Sequence, residues 1–327
     1  MQQARHPISR VLGALLALAM ALLIAAALAS DQALAAQDDG LSATRSAQKQ
    51  GLDAQASSAK VENAYLVRSG EKFSKKTVKK YDITGNGKPD AITFVLAKSD
   101  DNWAETLRIY VNGKLCRTVK GLDGNGFFPT GVTAKYLRMK NGAAFLFVKC
   151  DANNGDGSQL VLQYHGKRLS AVASANSLPA GYGNHRQLVD AIASGNTVRA
   201  TYRYMTMTAG AVEFTYTYKM KNGKLLRTGN TTSILSYGVS NGPYRTGKLF
   251  APARVAFSAF TNTTLNTVKY RVSAGQKVKI SRVCMKQGKL FFRMTTEDGD
   301  SGWIEALKHG VGSKGTDTLL IGTYLAG

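Results

Sequence analysis

Asn-Gly dipeptides set between runs of alternating apolar and polar residues restrict this chain to antiparallel hairpins. Residues 106–111 alternate, with Leu107, Ile109 and Val111 on one face and Thr106, Arg108 and Tyr110 on the other. Asn112-Gly113 follows at once, a pair suited to the positive-φ positions of a two-residue turn. The device recurs at Asn141-Gly142 and Asn222-Gly223, with weaker versions at His165-Gly166, Gly195-Asn196 and Gln287-Gly288. In residues 212–221, Val212, Phe214, Tyr216, Tyr218 and Met220 face one way, while Glu213, Thr215, Thr217, Lys219 and Lys221 face the other. That is a half-buried strand with one wet face. A long helical period is missing, although residues 70–80 and 187–193 leave room for short helical turns. The expected fold class is all-β, a hairpin-rich antiparallel sheet domain followed by a small barrel.

The most specific chemical feature is the stretch Asp82-Ile83-Thr84-Gly85-Asn86-Gly87-Lys88-Pro89-Asp90. Its oxygen side chains recur every second residue, with glycine at the sixth place, as in loops that wrap a hard cation. Asp82, Thr84 and Asn86 supply side-chain oxygens, Lys88 a carbonyl, and Asp90 closes the loop. An alternating run, residues 91–97, follows, so the loop opens a strand. Calcium is the expected ion. Two of the five ligands are carboxylates, the twelfth place is Thr93, and lysines crowd residues 72–80, so the expected affinity is weak, about millimolar. An Asx-type turn that needs no metal is the alternative. A second loop, residues 151–157, fits the cation template less well and reads as a β-turn.

The N-terminal 29 residues carry Arg5 and Arg10, then an uncharged apolar run ending in small residues. This is the pattern of a secretory signal peptide, with cleavage as late as residue 35, and an uncleaved anchor is the alternative. Residues 30–60 are poor in large apolar side chains and are expected to be a flexible linker. Lys and Arg number 43 against 21 Asp and Glu, a formal net charge of +22. Such a charge attracts polyanions. With a signal peptide, these are extracellular ones, anionic wall polymers among them, and not intracellular nucleic acid. Charge that merely keeps the protein soluble is the bland alternative. Three cysteines, Cys116, Cys150 and Cys284, do not make a disulfide scaffold. Three buried thiols are expected, with one Cys116–Cys150 bridge as the alternative. No cysteine or histidine (His165, His185, His309) stands in a recognisable nucleophile context. Tyr202, Tyr204, Tyr216 and Tyr218 are expected to pack across strands, a sugar-stacking surface being the alternative.

Texture changes to Ser, Asn, Gly and Pro over residues 240–247, which divides a β-sheet domain at 61–238 from a unit at 248–308 and a tail at 309–327. In the first, residues 82–90 and Ile109-Tyr110-Val111-Asn112-Gly113-Lys114 resemble the calcium-loop repeats of FG-GAP/VCBS-type β-propellers, with Tyr164-His165-Gly166-Lys167 similar to a blade's closing hairpin. That resemblance implies a propeller-like or partial-propeller sheet assembly. In the second, residues 272–280, Gly288-Lys289-Leu290, Gly299 and Gly302-Trp303-Ile304 resemble a bacterial SH3-like domain. This implies a small barrel that binds wall peptides or glycans, with Trp303 and Tyr270 as ligand-groove candidates. The expected function is a secreted, non-enzymatic protein that holds anionic cell wall polymers or peptidoglycan at the cell surface. It is expected to act as a monomer and to touch membrane only through its signal segment. The alternative is a wall hydrolase or peptidase whose SH3-like part is a targeting module.

Overall fold

The computed structural model describes residues 60–98, 102–121, 126–152, 157–178, 185–239, 242–246 and 249–323. The expected signal peptide, nearly all of the linker, the interior of the 151–157 loop and parts of the 240–247 stretch lie outside the described residues. Strands run in chain order. After β1 (Glu62–Val67) come β2 (Lys75–Tyr81), β3 (Asp90–Lys98), β4 (Ala104–Val111) and β5 (Lys114–Lys120). Next are β6 (Val132–Arg138), β7 (Ala144–Cys150), β8 (Ser158–His165) and β9 (Arg168–Ser174). Then follow β10 (Arg186–Ser194), β11 (Thr197–Thr206), β12 (Gly210–Lys221), β13 (Lys224–Arg227), β14 (Thr231–Val239) and β15 (Gly242–Thr246). The last are β16 (Ala251–Pro252), β17 (Phe257–Phe260), β18 (Val268–Val272), β19 (Lys277–Lys286), β20 (Lys289–Thr296) and β21 (Ser301–Glu305).

The protein is all-β and its paired strands are antiparallel, as the alternation requires. They form a four-stranded sheet β2-β3-β4-β5, a five-stranded sheet β1-β6-β7-β8-β9, and a 12-stranded sheet that runs from β10 to β18. None of the three closes into a barrel. The short helical turns allowed at 70–80 and 187–193 are instead β2 and β10, because each strand finds a partner edge, on β3 and β11. Partner pairing overrides a weak local preference.

Turn chemistry explains the hairpins. Asn112 (φ 50°) and Gly113 (φ 78°) close β4 on β5, and Asn222-Gly223 and Gln287-Gly288 close β12 on β13 and β19 on β20 with the same positive-φ pairs. Asn141-Gly142 differs, since only Gly142 has positive φ and the connection runs from Met139 to Ala143. The two-residue loop between β8 and β9 is Gly166-Lys167, one place later than the sequence suggests.

The five-stranded sheet is the middle layer. On β7, Ala144, Leu146, Val148 and Cys150 join a core with Ile92, Phe94, Leu107 and Ile109 of the four-stranded sheet. Phe145 and Phe147 point the other way, into a core with Tyr202, Phe214, Val283 and Phe292 of the 12-stranded sheet. A strand segment buried on both faces must be apolar at every position, and Ala144-Phe145-Leu146-Phe147-Val148 is, with Lys149 only half-buried near the strand's end. The 12-stranded sheet crosses the texture change at 240–247, because Thr231, Thr232 and Ser233 of β14 pair with Cys284, Val283 and Arg282 of β19. Among the described residues no helix is long and apolar enough to cross a membrane.

Candidate functional site

The 82–90 loop joins β2 to β3, and Asp90 is the first residue of its strand, as expected. The Asp82 carboxylate accepts the backbone N–H groups of Gly85 (2.7 Å) and Asn86 (3.1 Å) on Oδ1, and of Gly87 (2.8 Å) on Oδ2. Asp90 is 1% exposed. Its Oδ2 accepts from the N–H groups of Ile83 (2.8 Å) and Thr84 (2.9 Å), and its Oδ1 from Asn112 Nδ2 (2.7 Å). Thr84 Oγ1 lies 3.2 Å from Asp90 Oδ1 and 3.5 Å from Asp82 Oδ1, so its one proton is shared between the two acids. Asn86 Oδ1 accepts the Lys88 N–H (2.8 Å). Backbone dipoles thus balance both carboxylates, the arrangement of an Asx-type turn.

The fit to a cation is partial. Each carboxylate oxygen has about two lone pairs. Asp82 Oδ2 accepts one bond and keeps acceptor capacity, whereas both Asp90 oxygens are taken. An ion held here would engage Asp82 first, and Asp90 only by releasing donors. Among the described residues no group of three or more His, Cys, Asp or Glu side chains is placed to hold a metal ion.

Two partners of the loop were not readable from its own residues. Asn112, in the β4–β5 turn, donates to Asp90 and accepts the Ala91 N–H (2.8 Å) through Oδ1. Tyr136 of β6 donates from Oη to the Asp82 carbonyl (2.9 Å). Asn112 carried a signal only as a turn residue, and Tyr136 carried none.

Trp303 and Tyr270 do not converge. Gly302 and Ile304 of β21 are buried, and Trp303 between them is half-buried on the outward face. A Cβ at Gly302 would meet Ala259 Cβ at 2.9 Å and Tyr270 Cε1 at 3.1 Å, so the Tyr270 ring lies on the inward side. The glycine of the Gly-Trp-Ile motif is there because Tyr270 and Ala259 pack over it. Tyr270 Oη donates to the Met294 carbonyl (2.9 Å), and burial pushes its phenol up to about 12. Trp303 has other neighbours: Arg293 of β20 and Phe260 of β17 pair with it directly, and Arg282 of β19 pairs with Arg293. Arg282, Arg293, Trp303 and Phe260 form one outward row, about 15 Å long at ordinary strand spacing. Ser301 Oγ accepts from Arg293 Nε (3.1 Å) and Nη2 (2.6 Å), which holds the guanidinium beside Trp303.

The four tyrosines pack across strands, as expected. Tyr202, Tyr204, Tyr216 and Tyr218 are all buried, Tyr202 Oη lies 2.6 Å from Tyr218 Oη, and Tyr216 Oη donates to the Asn230 carbonyl (2.8 Å). Cys116, Cys150 and Cys284 are free and buried. Burial pushes the Cys116 and Cys150 thiols up, the opposite of an activated thiolate. Comparison with family models, with curated proteins and with solved structures finds no match to this chain.

Proposed function

We propose that the chain is a secreted, non-enzymatic protein that holds anionic cell wall polymers or peptidoglycan. The observation that carries this reading is the outward row Arg282–Arg293–Trp303–Phe260 on an open sheet face. An aromatic platform beside an arginine already turned by a serine suits a ligand that offers both a flat apolar face and an anionic group. The net charge of +22 supports the same partner class through long-range attraction. The reading keeps β16–β21 as an SH3-like module in open form, on the order of its turns and the Gly302-Trp303-Ile304 motif. It also keeps a partial propeller in the first half. The four-stranded meanders β2–β5 and β6–β9 follow one another and share a core, as adjacent blades do. Calcium at Asp82, Thr84, Asn86, the Lys88 carbonyl and Asp90 is part of the proposal, as a weak stabilising ion.

A pull-down of the full-length chain on purified wall sacculi tests the reading. Retention at low salt, release at high salt and weakened retention of Trp303→Ala and Arg293→Ala are expected. No retention even at low salt overturns it. Clearing of wall substrate in a zymogram would favour the hydrolase alternative.

A further inference from the structure

We infer that Asn222 is a site of spontaneous covalent modification. The backbone nitrogen of Gly223 attacks its side-chain amide, and the residue converts through a succinimide to aspartate or isoaspartate. The reaction needs only water, and it is independent of any ligand the protein holds.

Four described asparagines stand directly before glycine: Asn86, Asn112, Asn141 and Asn222. Three more, Asn125, Asn154 and Asn241, lie outside the described residues. All four described side chains are exposed, so exposure does not rank them. The reaction needs two free groups, the glycine nitrogen as nucleophile and the asparagine amide as electrophile. The Gly87 N–H donates to Asp82 Oδ2 (2.8 Å), and Asn86 Oδ1 accepts the Lys88 N–H. The Gly142 N–H donates to the Met139 carbonyl (3.0 Å), and Asn141 Oδ1 accepts the Ala143 N–H (3.2 Å). The Asn112 amide is clamped at both ends, Nδ2 on Asp90 and Oδ1 on the Ala91 N–H. Asn222 differs in both respects. Among the described residues nothing bonds its side-chain amide. The Gly223 N–H lies inside a two-residue turn whose closing pair is Lys221 and Lys224, so it has no ladder partner.

Ring closure brings Asn222 Cβ and the Gly223 nitrogen to the same side of the Cα–C bond, so the positive-φ turn must open first. This turn is built to open. Lys221 and Lys224 face each other as like charges across its closing pair. Strand β13 is four residues long and, among the described strands, pairs with β12 alone. The turn at Asn112 is closed by Val111 and Lys114 instead, without that repulsion. The two lysines at Asn222, both exposed, also put positive charge beside the reacting groups, which favours the anionic nitrogen and the oxyanion that follows.

In the first step hydroxide takes the Gly223 N–H proton and the nitrogen bonds to Asn222 Cγ. The Cγ–Nδ2 bond then breaks, and ammonia leaves with a proton from water. Water next opens the ring. Cleavage at Cγ restores the backbone with an aspartate, and cleavage at the α-carbonyl leaves isoaspartate, whose backbone runs through Cβ. One water is consumed and one ammonia released. Either product places a carboxylate between the two lysines.

The test incubates full-length protein at neutral and mildly alkaline pH and follows each asparagine by peptide mapping with mass spectrometry. Labelling by an isoaspartyl methyltransferase is a second readout. In the folded protein position 222 is expected to convert about fivefold or more faster than Asn86, Asn112 and Asn141, and faster as pH rises. In guanidinium chloride the four should convert at similar rates. Lys224→Glu replaces the repelling pair by an ion pair, so it should slow position 222 and leave Asn141 unchanged. Conversion of Asn86, Asn112 or Asn141 at the rate of Asn222 in the folded protein overturns the assignment. Conversion of position 222 only in guanidinium chloride overturns it too, since the turn would then stay closed. An unchanged rate in Lys224→Glu overturns the role given to the lysines.

Discussion

Tyr136 Oη donates a hydrogen bond to the carbonyl of Asp82 (2.9 Å), while its ring stacks on Tyr81, centroids 4.6 Å apart. One side chain of the middle layer thus fixes the root of the 82–90 loop on the outer layer. Tyr136→Phe keeps the stacking and removes the bond. The expected loss is about 1 to 2 kcal/mol of unfolding free energy, because the carbonyl loses its partner inside a packed interface. Urea denaturation checks this, and an unchanged midpoint would show that the loop is anchored by its own hydrogen bonds alone.

Asp90 is the second anchor. Asp90→Asn keeps the shape but turns one oxygen into a donor that faces N–H groups or the Asn112 amide. A cost of about 2 kcal/mol or more is expected, together with faster amide hydrogen exchange at Ile83 and Thr84.

Calcium binding at the loop predicts a rise in melting temperature at about millimolar calcium, abolished by Asp82→Asn. Scanning calorimetry with and without a chelator reads this directly. A melting temperature indifferent to calcium removes the ion from the proposal.

Lys135 is nearly buried, 8% exposed, and pairs with Asp190, which is 43% exposed. Its ammonium also lies 4.7 Å from the centroid of the Tyr65 ring and 5.8 Å from that of Phe147. Removing the acid strands a shielded cation, whereas removing the cation leaves a solvated acid. Asp190→Ala should therefore destabilise the protein by about 1 to 3 kcal/mol, and Lys135→Met by less, since it keeps the volume and the ring contacts. Equal losses in thermal denaturation would contradict this ordering.

The buried tyrosines predict alkaline lability. Burial raises the Tyr136 and Tyr270 phenols from an ordinary value of 10.0 to about 12, and it raises those of Tyr202, Tyr204, Tyr216, Tyr218 and Tyr237 as well. In this range the unfolded chain binds fewer protons than the folded one, so stability falls as pH rises. It should be complete below pH 10 and decline through the window from about 10 to 12. Tyrosinate absorbance should appear together with loss of the sheet signal in circular dichroism. Titration of all tyrosines near pH 10 with the fold intact would contradict the burial argument.

The open charged faces were partly legible. Alternation in residues 106–111 put Arg108 outward, and the Lys-rich run 72–80 announced a basic strand. That Lys75 and Arg108 share a row depends on the pairing of β2, β3 and β4, which local pattern cannot give. The same holds for Trp303 and Tyr270. Both are aromatic residues of one sheet, on strands β21 and β18 that flank β17, yet the register of β17, β18 and β21 sends them to opposite faces. A shift of one residue would have reversed that, because side chains alternate with period two.

The sequence by itself determined the all-β class, the positions of most hairpins, the inward tyrosines of β11 and β12 and the strand that opens at Asp90. These follow from period-two alternation and positive-φ turn residues, which act over a few neighbours. Only the tertiary structure decided that the middle sheet is covered on both faces and that one sheet runs from β10 to β18. It alone brought Asn112 and Tyr136 to the loop, from 22 and 54 residues away. Those contacts come from nonlocal strand pairing and shared burial of apolar faces, for which no short stretch of chain carries the information.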